Sequence, residues 1–334
     1  MTDPLATIII PNYNGVRFFP RLMESLAAQT DRRFVVTVVD DCSTDDSVAF
    51  LAANWPRVSV LRNTRNLGFA GSCNAGMRAA ATPLVVLLNN DTHVDVNWFA
   101  EGVRPFAEPG VAAVASLVLL AELPNLIDTA GDVYFVAGGA LKRNHLEPRE
   151  MAARVPERAF SPCGASAFYR REAVAEAGYL DERFESYYED VDLGFRLAWA
   201  GHRCVLARES ICYHHLSSSY APTSWKYHFN SARNAEIVWW ANLSTGLILR
   251  HLWAHLLFLA MQGAAELRRG RGLCFLAGKW RVLRHVGHIR SKRAAIRRFK
   301  RIDDAQMDGL MLHDWWGMHV LPKLKKLLQG RAEA

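Results

Sequence analysis

From Ala6 to Asp91 the chain alternates between short apolar runs and amphipathic stretches, and each run stops at a polar cluster. Ala6–Pro11 (ATIIIP), Arg33–Asp40 (RFVVTVVD), Val58–Leu61 and Pro83–Leu88 (PLVVLL) are β-branched or continuously apolar, and read as buried strands. Between them, Arg17–Gln29, Asp45–Asn54 and Phe69–Ala80 carry helical spacing. Strands alternating with helices at this distance predict a parallel, doubly wound α/β sheet. Such sheets bind ligands outside the C-terminal ends of their strands, where the polar clusters of this chain fall.

From about Val111 the pattern is mixed. Val111–Leu120 is apolar enough for one or two strands, and Asp128–Arg158 reads as loop. Glu172–Gly178 and Asp190–Gly201 read as helices, the second with a glycine just past its end. Val205–Tyr213 reads as a strand. After Ser217, Ser218 and Ser219 the composition turns helical, Trp-rich and basic. That shift puts a boundary near Tyr220 and divides the chain into residues 1–220 and 221–334.

Composition narrows the class. Half of the 334 residues are hydrophobic and 22% are charged, which supports a sizeable core and excludes a disordered or collagen-like chain. The formal charge is +7, yet Arg268–Arg301 alone holds thirteen Lys or Arg and no acid, so the remainder carries −6. A basic block on an acidic-leaning body points to an anionic partner. Membrane headgroups suit it better than nucleic acid, because no nucleic-acid-binding module accompanies the charge. The six cysteines form no CxxC pair or zinc spacing and read as reduced thiols. The N-terminus lacks a basic, then long apolar, leader pattern. Leu247–Ala260 is greasy but short for a bilayer span and broken by Arg250, His251 and His255, so an interfacial helix fits it. These features predict a cytoplasmic protein, with peripheral docking on the inner face of the plasma membrane as the alternative to a solvated basic face.

Four polar clusters follow the first strands: Pro11-Asn12-Tyr13-Asn14-Gly15, Asp40 to Asp45, Asn66 to Gly76, and Asn89-Asn90-Asp91-Thr92. Each alone reads as a turn or helix cap. Together at successive strand ends they suit a nucleotide. Asp40 or Asp41 can accept from a base N–H, Asn12, Asn14 and Asn66 can serve ribose and phosphates, and Asp91 can hold a hard divalent ion on a diphosphate. Neither GxGxxG nor GxxxxGK[ST] is present, which argues against a hydride-transfer cofactor or a P-loop. Further on, Glu185 to Asp192 brings four carboxylates to the start of a helix, where the dipole favours acids and where Asp190 can be held as a general base. Tyr213-His214-His215 ends a strand, and one of the two histidines becomes a metal-ligand candidate beside Asp91.

IIIPNYNG, VVDDCSTDDS, NLGFAGSCNAG, LLNND, CGASAFYRR, YYEDVDLGFRL and YHHLSSS, in this order, resemble the inverting family-2 glycosyltransferases of GT-A fold. Within the family the pattern is most similar to bacterial rhamnosyltransferases of cell-surface polysaccharide synthesis. The resemblance spans about Ala6 to Asn234 and implies a mostly parallel nucleotide-binding sheet flanked by helices. It implies that Pro11, Asn12, Asn14, Asp40, Asn66, Gly68 and Asn90 line the nucleotide-sugar site. Asn89-Asn90-Asp91 stands where the family carries DxD; with Asn89 in place of the first acid, Asp91 is the metal ligand for Mg²⁺ or Mn²⁺. Glu189-Asp190 matches the ED pair, with Asp190 as base. His214 matches the strand-end histidine, although the adjacent His215 leaves the register open by one. Cys163, Gly164 and Ala165 match the segment on the acceptor and donor-sugar side. Arg233-Asn234 recurs in similar enzymes.

The resemblance therefore implies metal-dependent sugar transfer, with rhamnose from dTDP-rhamnose favoured, onto a glycan or lipid-linked acceptor. UDP-galactofuranose and UDP-hexoses remain alternatives, because Asp40 accepts from uracil as from thymine. A sugar nucleotidyltransferase is a second class, but it calls for a Gly-rich basic phosphate loop that IIIPNYNG does not supply. A silent scaffold is a third, and the joint presence of Asp91, Glu189, Asp190 and His214 speaks against it.

Overall fold

The computed structural model describes residues 3–215 and 224–317. The boundary expected near Tyr220 and the serine run before it lie outside the described residues.

Among the described residues twelve strands and eleven α-helices follow one another. The strands are β1 (Ala6–Asn12), β2 (Phe34–Asp40), β3 (Ser59–Arg62), β4 (Leu84–Leu88), β5 (Thr92–Val94), β6 (Val111–Leu120), β7 (Ile127–Thr129), β8 (Asp132–Tyr134), β9 (Ala140–Lys142), β10 (Arg158–Ala159), β11 (Ser166–Arg170) and β12 (Arg203–His214). The helices are α1 (Phe19–Ala27), α2 (Ser47–Asn54), α3 (Gly68–Ala79), α4 (Trp98–Val103), α5 (Arg171–Ala177), α6 (Glu189–Trp199), α7 (Trp225–Asn242), α8 (Thr245–Arg268), α9 (Gly272–Arg281), α10 (Val286–Phe299) and α11 (Asp304–Asp308).

The main sheet runs β10-β12-β6-β11-β4-β1-β2-β3. Strands β4, β1, β2 and β3 are parallel, as the βαβ alternation predicts. The chain steps outward from β1 to β3 and then returns to β4 on the other side of β1. That reversal is a topological switch point at the carboxyl ends of β1 and β4, the place where open α/β sheets bind their ligands. The other half departs from the parallel expectation: β11 runs antiparallel to both β4 and β6, while β12 lies parallel to β6. Val111–Leu120 is one continuous strand with every residue buried.

The central strands are apolar on both faces because both are covered. Ile8 and Ile10 pack with Phe19, Leu22 and Trp98 on one side. Ile9 packs with Ala70, Cys73 and Met77 of α3 on the other. A Cβ at Gly76 would lie 2.4 Å from Ile9 Cγ2, so the small residue is what lets α3 settle onto the sheet.

Asp128–Arg158, expected as loop, contains β7, the β8–β9 hairpin and a short 3₁₀ segment at Arg149–Arg154. The three-residue strands are too short to show a period. Helices α7, α8, α10 and α11 share a core with α6 and the hairpin through Phe135, Phe195, Trp199, Trp239, Phe258, Ile289 and Met307. Ser224 caps α7 and Ser244 caps α8 through their hydroxyls. Leu247–Ala260 lies within α8. This is the one helix among the described residues long and apolar enough, by length and composition, to cross a membrane; 28% of its apolar window is buried.

Polar bonds also cross into this core. Asp192 on α6 is fully buried and takes Arg196 Nε at 3.0 Å, Asn242 Nδ2 at 2.7 Å and Lys292 Nζ at 2.6 Å. Removing one member of a buried ionic group strands the others. Asp192→Ala is expected to cost about 3–5 kcal/mol. A lowered urea midpoint with an unchanged m-value checks it.

Candidate active site

The parallel register sets Asn12 at the end of β1 opposite Asp40 at the end of β2. Asn12 Nδ2 donates to Ser43 Oγ at 3.1 Å and to Asp40 Oδ1 at 3.4 Å. Asn90 Nδ2 donates to Asn12 Oδ1 at 2.8 Å, which ties the end of β4 to the end of β1. Gly15 packs against this bond: a Cβ there would lie 2.1 Å from Asn90 Nδ2. Asn14, in left-handed backbone with φ 53°, accepts the Thr44 amide at 2.7 Å and that of Asp45 at 3.3 Å. Pro11 precedes Asn12 in β1, opposite Val39.

The two adjacent aspartates have different work. Asp41 Oδ1 accepts from Leu67 N at 2.7 Å and Asn63 Nδ2 at 2.8 Å, and Oδ2 from Gly68 N at 2.9 Å. Both of its oxygens hold the Asn66–Gly68 turn that opens α3. Asp40 is held more loosely, with Ser43 N at 3.3 Å and Arg62 Nε at 3.8 Å on Oδ2 and only the long Asn12 bond on Oδ1. Asn66 Nδ2 donates to Asp41 O at 3.3 Å. Gly68 has φ 72°, and its open side faces the Glu185 carbonyl.

Antiparallel pairing of β5 with β12 sets His214 opposite Thr92, one residue past Asp91. His214 Nε2 lies 3.4 Å from Asp91 Oδ1, and Nδ1 lies 3.1 Å from Asp128 Oδ2. His215 turns the other way, with Nδ1 2.9 Å from Glu122 Oε1. Geometry therefore selects His214 as the histidine facing Asp91. Asp128 is fully buried and bonded by Lys142 Nζ at 2.7 Å. Burial raises its pKa, but His145, His214 and Lys142 overcome that and hold the carboxyl well below its usual range. Burial likewise opposes charge on His214, yet Asp128 and Asp91 outweigh it and raise the imidazole pKa to about 9.

An imidazole fixed by a carboxylate on one nitrogen and facing a second carboxylate with the other is the oriented donor pair of many metal sites. Among the described residues no third His, Cys, Asp or Glu joins it. The donor set fits a divalent ion that takes its other ligands from a diphosphate and water. Asn89 Oδ1, where the DxD pattern has its first acid, is buried without a hydrogen-bond partner.

The third element is the start of α6. Asp190 Oδ1 accepts from Val191 N at 2.8 Å and Oδ2 from Gly164 N at 3.1 Å. Asn89 N donates to Ala165 O at 3.0 Å, so the Cys163-Gly164-Ala165 turn links the Asp190 carboxylate to the Asn89–Asp91 turn. Burial raises the Asp190 pKa against these amide donors. Glu189 is buried with Oε2 unpartnered, and burial followed by the charge of Asp190 pushes its pKa well up. Asp132 on β8 is also pushed up, by burial and then by Asp190.

The segment leading to this acid pair is unusual. Glu185, Tyr187 and Tyr188 all have φ between 63° and 73°. Left-handed backbone costs of order 1 kcal/mol per non-glycine residue, and such a loop persists only when neighbours over-determine it. Asn234 on α7 supplies that restraint: its Nδ2 donates to the carbonyls of Phe184 at 3.0 Å, Ser186 at 3.0 Å and Tyr187 at 2.8 Å. Arg233 NH2 donates to the Phe184 carbonyl at 3.2 Å, and its Nε holds Asn234 Oδ1 at 2.9 Å.

The residues singled out in the sequence thus converge on one end of the sheet. Sequence reasoning missed Asp128, Asp132 and Lys142, which lie in the stretch read as loop. It also left Arg233 and Asn234 without a role.

Comparison with known proteins agrees with this geometry. The model of the family described as Glycosyl transferase family 2 matches residues 7–178, more than half of the chain. The chain is 30% identical over 226 residues to the O-antigen biosynthesis protein RfbC of Myxococcus xanthus, covering 65% of this chain and 18% of that protein. It thus spans about a fifth of the length of that relative. It is 28% identical over 252 residues to an N-acetylglucosaminyl-diphospho-decaprenol L-rhamnosyltransferase of Mycobacterium tuberculosis, covering 66% of this chain and 78% of that one. Among solved structures it is similar to the mannosyltransferase PcManGT from Pyrobaculum calidifontis in complex with GDP-Man and Mn²⁺, with a TM-score of 0.56 and 17% identity over 85% of this chain and 88% of that one. The S. aureus TarS 1–349 complex with UDP-GlcNAc gives a TM-score of 0.56 and 17% identity over 88% and 89%. The sheet, its switch point and the family match together make this chain a member of glycosyltransferase family 2, an enzyme of GT-A fold.

Proposed function

We propose that the chain is a metal-dependent inverting glycosyltransferase that moves rhamnose from dTDP-rhamnose to a glycan or lipid-linked acceptor in cell-surface polysaccharide synthesis. The observation that carries the reading is the chain of bonds from Asp40 through Asn12 and Asn90, and from Asn89 through Ala165 and Gly164 to Asp190. It ties a nucleotide end to a base end in one rigid frame.

Asp40 receives the ring N–H of a pyrimidine, and Asn12, Asn14, Asn66 and Gly68 surround the ribose and phosphates. Asp91 and His214 would hold a Mg²⁺ or Mn²⁺ ion, which would supply a counter-charge for the departing diphosphate. To serve as a ligand His214 would have to be neutral, with Nε2, the nitrogen facing Asp91, free of its proton. Asp190 takes the proton of the acceptor hydroxyl as that oxygen bonds to the anomeric carbon. The bond from that carbon to the diphosphate oxygen breaks on the opposite face, so configuration inverts in one displacement. Two backbone amides on Asp190 favour its ionised form, while Glu189, with no donor on Oε2, keeps its proton more readily. The rhamnosyl and lipid-linked reading draws support from the mycobacterial relative. The polysaccharide reading draws it from the O-antigen protein and from 38% identity over 92 residues to the succinoglycan biosynthesis protein ExoO of Rhizobium meliloti.

Thermal unfolding with dTDP, UDP and GDP, with and without Mn²⁺, tests the donor site. A nucleotide at about a hundred times its Kd adds about 2.7 kcal/mol. The expected result is a metal-dependent shift with dTDP and UDP but not GDP, absent in Asp91→Ala; no shift with any nucleotide overturns the reading. Asp190→Asn should abolish transfer of radiolabelled rhamnose and keep the dTDP shift; equal loss of both counts against a base.

The acid pair also has a pH signature. Glu189 binds its proton more tightly folded than unfolded. Above the ordinary carboxyl range the native state therefore holds the extra proton, and stability falls as pH rises, by up to about 1.4 kcal/mol per pH unit per group. Glu189→Gln removes this share. Urea midpoints from about pH 5 to 7 should fall less steeply in the variant than in the wild type.

A further inference from the structure

Two apolar stripes on the C-terminal helices face solvent. On α8 the stripe is Leu249, Trp253, Leu256 and Leu267, at helical spacing, with Trp253 66% exposed. On α9 and the 3₁₀ turn Val282–His285 it is Leu273, Leu276, Trp280 and Leu283, with Leu273 78% and Trp280 76% exposed. The stripes meet at the α8–α9 turn, where Leu267 lies against Gly272, the residue before Leu273. Single exposed leucines need no explanation, but a run of this length with two exposed tryptophans does.

The charge around these stripes is one-sided. Between Thr245 and Ile302 the only acid is Glu266, and it is already engaged by Arg269 and Arg271. Much of the basic block serves the protein itself. Lys279 pairs with Glu236, Lys292 with Asp181 and Asp192, Lys300 with Asp304 and Arg301 with Glu176. Arg293 donates to the carbonyls of Trp240 and Leu243. Arg268, Arg281, Arg284, Arg290, Arg297 and Arg298 are exposed and have no carboxylate partner among the described residues. Three of these cations, Arg268, Arg281 and Arg284, stand directly beside Leu267, Trp280 and Leu283 in the chain.

We propose that this face docks onto the surface of an anionic lipid bilayer, with the Trp and Leu side chains in the headgroup layer and the arginines on lipid phosphates. The occupant follows from charge complementarity: an uncompensated cationic rim around an apolar stripe matches an anionic surface with an apolar interior. Helix α8 lies on the bilayer and does not cross it. Its inner face carries His255 against Glu236 and the Ala137 carbonyl, and His251 against Asp308. A spanning helix would tear these buried pairs out of the protein and into hydrocarbon.

The test is co-sedimentation of the full chain with phosphatidylcholine vesicles and with vesicles containing phosphatidylglycerol, at low and high salt. The expected result is binding to the anionic vesicles that high salt weakens, and little binding to the neutral ones. Leu276→Ser/Trp280→Ser should lower that binding by on the order of a hundredfold. Arg281→Ser/Arg284→Ser should lower it by roughly thirtyfold. Both pairs sit at the surface, so unchanged melting temperatures should accompany the loss. No binding to anionic vesicles at low salt overturns the proposal, as does binding that both double variants retain. A concentration-dependent dimer that Leu276→Ser/Trp280→Ser dissolves, without vesicle binding, assigns the face to a second copy of the chain and overturns it equally.

Discussion

Withdrawing carboxylates from water is the constraint around which this molecule is arranged. Asp128, Asp132, Glu189 and Asp192 are all buried within one region near the start of α6, and Asp190 is only partly accessible. An ionised carboxylate in such surroundings is costly unless it meets cations or N–H donors. The surrounding elements supply these from four directions. The β8–β9 hairpin brings Lys142 to Asp128, β12 brings His214, α6 brings Arg196 to Asp192, and α10 brings Lys292. Among the described residues Asp190, Asp132 and Glu189 take no hydrogen bond from a cation, and of the three Asp190 is the one held by the amides of Gly164 and Val191. It therefore keeps its basicity, whereas Asp128 and Asp192 are committed to structure.

The nucleotide half of the molecule was legible in the sequence because its signals are local. Each of β1, β2 and β4 is a continuous apolar run ended by polar residues, and a parallel sheet with covered faces demands that pattern. The meeting of Asn12, Asp40 and Asn90 follows once the strands are set in register. Asp40 and Asp41 could not be told apart from spacing. Only the folded turn shows that Asp41 is consumed by Leu67, Gly68 and Asn63. The same holds for His214 and His215, which the pairing with β5 separates.

What stayed hidden is non-local. β8 and β9 are three residues each and become strands by pairing with one another. Asp132 and Lys142 are therefore brought to the site by tertiary structure, with no periodic signal of their own. The antiparallel β11 has five residues, and its Ser166 hydroxyl accepts from buried Trp98 Nε1 at 2.9 Å, a contact no sequence pattern announces. The basic block was visible as a block. Its division into inward ion pairs and outward arginines depends on which acids of distant elements reach it.

The Arg233-Asn234 pair bears on how this chain can be cut. The composition changes near residue 220, which makes it a natural place to excise a minimal enzyme. Yet the loop entering α6 has carbonyls at Phe184, Ser186 and Tyr187 whose donor sits beyond that point, on α7. A fragment ending there keeps every strand of the main sheet and loses the latch on the loop that leads to Asp190. The smallest unit that keeps this loop in shape extends past the sheet, and a chimaera that exchanges the start of α6 must carry its own α7 with it.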